Sequence, residues 1–199
     1  MANKDKMPDE SSEKMETRRK GIARFSESVL NAEVWFHTAD ELIVAMKLLE
    51  PQVKRYWDPD PQIVDQKSEV PRYAYLNVAS VHMMLAGFAI ENLCKGYLAG
   101  RLSPKEREEV KAGVLPKSLK SHHILNLIEQ TGMILCVVEK YLVVRLTEAV
   151  LWLGRYPSAT SHEWFDGFAL INCDIEYIET LLEKLRRHVG AKDRQHITA

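Results

Sequence analysis

The sequence predicts an all-α fold, an antiparallel four-helix-type bundle with additional short helices. Two long stretches, 22–46 and 164–189, carry apolar residues at alternating steps of three and four. A third, 73–98, has only Glu91 and Lys95 as charged residues, the pattern of a helix at the centre of a bundle. No hairpin signal or strand-rich region competes.

Taken in order, residues 1–18 alternate in charge and read as a flexible tail, with no apolar segment of signal-peptide type. A single domain is expected over 19–190, followed by a short C-terminal tail, 191–199. The first helix starts near Gly21, and its stripe runs through Ile22, Phe25, Val29, Ala32, Phe36, Ala39, Ile43 and Met46. Pro51 is expected to end or bend it. Pro59, Pro61 and Pro71 mark a loop before the central helix. Gly100 ends that helix. Ser103, Pro104 and Glu106 then spell a cap, a first-turn proline and a capping-box acid for a short helix over 103–113. Another short helix is expected over 119–132, closed by Gly132. Residues 133–153 are β-branched around Cys136 to Val144. Val137, Tyr141, Val144, Glu148 and Leu151 nevertheless keep helical steps, which predicts a helix. The last helix is expected to start at a Thr160–Glu163 capping box and to run unbroken to Gly190.

With 199 residues, 46 % hydrophobic and 28 % charged, the chain has the composition of one soluble domain with a sizeable core. Its net charge of -1 excludes a broadly basic nucleic-acid binder. The segment 101–123 is locally basic: Arg101, Lys105, Arg107, Lys111, Lys117 and Lys120 outnumber Glu106, Glu108 and Glu109. Cys94, Cys136 and Cys173 lie far apart in apolar surroundings, so buried free thiols are expected and a zinc site is not. No metal or cofactor is expected. The most apolar run, 78–90, is too short to span a membrane, so a cytoplasmic protein is expected.

Several polar residues are candidates for function. Glu91 and Lys95 stand four apart on one helical face, as a surface salt bridge or as part of a shared polar pocket. His122 and His123 are adjacent and cannot both face inward. One of them is expected against the central helix near Glu91 or Lys95. His82 reads as a core or interface histidine with its hydrogen bonds satisfied. The stretch RYPSATSH, 155–162, joins two long helices. Arg155 offers a fork of donors suited to phosphate, and a histidine in a helix's first turn is held neutral by the dipole. The same residues equally suit a plain interhelical turn.

Three segments, AIENLCKGYLAG (89–100), SHHILNLIEQTG (121–132) and WLGRYPSATSH (152–162), appear in an order and spacing that resemble the HEPN-domain family. The resemblance covers about residues 25–189. It implies a compact helical bundle that forms homodimers. It also places Glu91, Lys95, His122, His123 and Tyr156 in a binding or structural polar cluster, with His123 and Leu125 matching the family's His-x-Leu pattern better than His122 does. Many members are metal-independent ribonucleases with arginine, four to six residues, then histidine. Arg155 and His162 match that spacing, which implies a site at a homodimer cleft with Arg155 on the scissile phosphate and His162 moving the proton. Tyr156, directly after the arginine, stands where active members place a polar residue, and Pro157 follows it. That arrangement resembles the members acting as accessory or binding modules, some of them paired with nucleotidyltransferases. The favoured expectation is therefore a non-catalytic module binding a nucleotide, RNA or a protein partner, with the endoribonuclease as the alternative.

Overall fold

The computed structural model describes residues 10–57, 72–153 and 171–190. Among them the chain is all-helical, with no strand. Its elements are α1 (Glu10–Leu30), α2 (Ala32–Trp57), α3 (Arg72–Ala99), α4 (Pro104–Lys111), α5 (Lys117–Lys120), α6 (Ile124–Thr131), α7 (Val137–Glu148) with a π-helical extension (Ala149–Leu153), and α8 (Asp174–Val189). No helix among the described residues is long and apolar enough to cross a membrane.

The expected first helix is two. Asn31 separates them: its side-chain oxygen accepts the Glu33 N–H at 3.0 Å, which caps the start of α2. A one-residue break leaves the apolar stripe in register, so Val29 before it and Ala39, Ile43 and Met46 after it are all buried. The helix also begins earlier than expected, at Glu10 rather than near Gly21. Residues 13–20 are exposed. They are held by good helix formers and local pairs such as Lys20–Glu16 at 2.7 Å. Pro51 lies inside α2, which continues to Trp57.

The central position of α3 matches its composition. Ala86, Ala89, Ile90, Leu93 and Cys94 are wholly buried in a core shared with α2, α6, α7 and α8. Two glycines allow close approach. A Cβ on Gly96 would stand 2.7 Å from the Phe36 ring, and one on Gly87 would stand 2.5 Å from Val150 Cγ2. A smaller core lies under the second half of α1, where Val29 meets Ala99, Leu102, Val110 and Leu119. Ser26 ties α1 to α4 by donating to the Val110 carbonyl at 2.9 Å.

The α4 start follows the sequence reading. Ser103 and Glu106 form the capping box, and Glu106 also accepts from Ser118 of α5 at 2.8 Å. These three hydrogen-bond contacts from Ser103 and Ser118 hold the Glu106 carboxyl below its ordinary range. The short helix expected over 119–132 is divided into α5 and α6, with residues 121–123 outside both. Gly132 and Gly190 close α6 and α8 in the left-handed conformation, at φ 81° and 71°.

The unbroken last helix is not what forms. Residues 171–173 are non-helical, and α8 starts at Asp174. The cause is Asp174 itself, whose carboxylate accepts the Ile171 N–H at 2.9 Å while held by Arg145. Ile171, in perfect stripe register by sequence, is 37 % exposed. Two of the three cysteines also depart from expectation. Cys136 and Cys173 are exposed, because each occupies the N-cap position of a helix that starts at the surface.

Candidate functional site

A cluster of three polar side chains joins α3 to the segment between α5 and α6. Glu91 and Lys95 stand one turn apart on the buried face of α3, with Nζ 2.7 Å from Oε1 and both side chains only 6 % exposed. The pair is therefore buried, not the surface bridge favoured by spacing alone. The imidazole of His122 closes over it, with Nδ1 3.1 Å and 3.0 Å from the two Glu91 oxygens. That side chain is half exposed. An ionised carboxylate only accepts, so Nδ1 carries the proton on this contact and Nε2 takes no part in it.

The split of the expected helix selects His122 over His123. With α6 starting at Ile124, His123 becomes its N-cap residue, and its backbone N–H is taken by Ser121 Oγ at 3.1 Å. Its side chain is exposed. Lys117 and Lys120 of α5 are exposed on the same short segment. Burial, followed by the charge of Glu91, drives the Cys94 thiol far above its ordinary range, so Cys94 is an inert core residue.

Arg155, Tyr156 and His162 lie outside the described residues, as does the proposed Thr160 cap. His82 is only 1 % exposed, and among the described residues its Nε2 has no hydrogen-bond partner. The expected satisfied core histidine is thus an unsatisfied one. Burial lowers its pKa to about 4, against a smaller opposing pull from Asp174.

Three further arrangements escaped the sequence reading. Arg145 and Asp174 form a buried two-bond fork. Asp40 of α2 pairs with Arg186 of α8. Tyr97 stacks on His188 with centroids 6.1 Å apart and takes the Arg101 guanidinium over its ring at 3.5 Å. Each joins residues from different elements or from successive turns whose direction depends on packing. Only Tyr97–Arg101, at a four-residue spacing, left a local signal.

No known family, curated protein or solved structure matches this chain.

Proposed function

We propose that the chain is a HEPN-like module, an antiparallel four-helix-type bundle with short helices added, that works by binding a nucleotide or RNA. The observation that carries this reading is the Glu91–Lys95–His122 cluster. Taking two charges out of water costs several kcal/mol per ion before pairing, and apolar residues of similar size would hold α3 as well or better (~1–4 kcal/mol). Here the buried pair instead fixes the orientation of a half-exposed imidazole. Lys117 and Lys120 are exposed on the same short segment as His122, two cations suited to phosphate oxygens, while the outer imidazole nitrogen, with the proton on Nδ1, is an acceptor suited to a ribose hydroxyl or a base amino group. The near-neutral net charge fits a local contact of this kind better than a broad electrostatic face.

Anisotropy of a labelled single-stranded RNA and of a labelled nucleotide tests the reading. His122→Ala and the double variant Lys117→Glu/Lys120→Glu are each expected to weaken binding about tenfold. Wild-type affinity in both variants, with native circular dichroism, sinks it. Capture of a partner protein whose binding needs His122, without RNA affinity, would redirect the reading to a protein-binding module.

The spacing of Arg155 and His162 supports a second reading, a metal-independent endoribonuclease at a homodimer cleft. Incubation with RNA in EDTA decides it. Cleavage by the wild type and not by His162→Ala favours the nuclease, and equal behaviour of the two removes it.

A further inference from the structure

The helices α2 and α8 are joined by two ion pairs in antiparallel order. Asp40 meets Arg186, and two turns further along α2, Lys47 meets Glu179 at 3.6 Å. Between these braces the helices meet mainly through side chains, with few close backbone approaches. A cavity of about 480 Å³ opens there. Ile43 and Leu182 form its floor, 6 % and 4 % exposed. That volume lies in the range of small-molecule sites, about 300–1,000 Å³, which combine an apolar surface with a few oriented polar groups.

The charges at the rim are not equivalent. Lys47 and Arg186 are committed to Glu179 and Asp40. Among the described residues Arg187 bonds only within its own helix, Nε donating to the Glu183 carbonyl at 3.3 Å. Among the described residues its two terminal nitrogens face no carboxylate partner. Glu179 and Glu183 also line the cavity and repel a second negative charge.

We propose that the α2–α8 cavity is a binding site for a small amphipathic monoanion, its apolar body on Ile43 and Leu182 and its single charge on the terminal nitrogens of Arg187. The site is separate from the His122 cluster and does not depend on it. An apolar body gains from leaving water against a preformed floor, and a guanidinium fork gives a carboxylate or sulfonate two parallel hydrogen bonds. A neutral apolar compound would leave Arg187 unused, and a dianion would meet Glu179 and Glu183.

The probe is 8-anilinonaphthalene-1-sulfonate, an aromatic body with one sulfonate, titrated into the native 199-residue chain. Saturable binding of one probe per chain is expected. Arg187→Glu, an exposed position, is expected to weaken it by about tenfold or more, while Arg187→Lys retains most of the affinity. Arg24→Glu on α1 makes the same change in net charge elsewhere and is expected to leave binding unaltered. Octanoate is expected to displace the probe where inorganic phosphate at equal concentration does not. Wild-type affinity in Arg187→Glu with native near-ultraviolet circular dichroism overturns the proposal. So does displacement by inorganic phosphate as effective as by octanoate, because the apolar floor would then contribute nothing.

Discussion

Arg145 and Asp174 face each other through two parallel hydrogen bonds of 2.6 Å and 2.5 Å, with both side chains under 10 % exposed. One end belongs to α7 and the other opens α8, so the fork fixes where α8 begins. Removing one partner leaves an uncompensated buried charge. Arg145→Met and Asp174→Asn are each expected to lose about 3–5 kcal/mol of unfolding free energy. The double replacement Arg145→Met/Asp174→Leu is expected to recover much of that loss. Urea denaturation of all three variants checks the order. A double variant no better than the worse single variant would contradict it.

Acid sensitivity follows from His82. Its pKa is about 4 in the fold against 6.5 unfolded, so the unfolded chain binds the extra proton between those values. Stability attributable to this residue is full above pH 6.5 and falls as the pH drops toward 4, by at most about 3 kcal/mol. Glu50, raised by burial and by Glu179, and Glu148, raised by burial, act in the opposite sense. Their protonation favours the fold as the pH falls below their raised values. The His82 contribution is therefore read as a difference, with the urea midpoints of His82→Leu expected to fall less than those of the wild type over pH 6.5 to 4. Parallel curves would remove the assignment.

Two glycines in helices are expected to respond in opposite directions to alanine. At Gly96 the new methyl would stand 2.7 Å and 2.9 Å from Phe36 ring atoms and 3.1 Å from Trp35 Cβ. Overpacking of this kind costs about 1–3 kcal/mol. At Gly21 nothing lies within 4 Å, and the residue is exposed in α1. Alanine there is expected to gain about 0.5–1 kcal/mol if α1 melts with the rest. Thermal melts of both variants suffice, and a loss at Gly21 or a gain at Gly96 would contradict the packing described.

The α4 capping box offers a smaller effect. Ser103→Ala deletes a side chain that accepts from the Glu106 N–H and contacts the Glu106 carboxylate at 2.7 Å. A loss of about 0.5–2 kcal/mol is expected. Glu106→Gln keeps the shape while removing the charge, and its cost is expected to vanish at low pH, where the wild-type carboxyl also becomes neutral. A cost that persists in acid would show that charge is not what the capping box uses.

The helical class was legible because it rests on local periodicity, and so were the features with local signatures. Ser103, Pro104 and Glu106 announced α4, while Gly132 and Gly190 announced two helix ends. The breaks at Asn31 and at 171–173 were hidden for one reason: a short interruption can leave the apolar residues in phase. Phase records which face is buried, not whether the backbone between stays helical. The candidate site was legible in part. A four-residue spacing put Glu91 beside Lys95, but burial depends on what covers α3. The choice of His122 over His123 depends on where α6 starts, which one residue decides. Arg145 and Asp174 lie 29 residues apart, and nothing local to either names the other.

The small core beneath α1 is closed by a hydrogen bond between residues 84 positions apart in the chain. Closing so long a loop costs entropy before its few apolar contacts repay it. This corner should therefore consolidate late in folding, after α3 has gathered its nearer partners, and open first on the way out. Amide exchange would see it as a hinged flap: protons along α1 leave early and together, while those of Ile90 and Leu93 wait for the whole molecule to open.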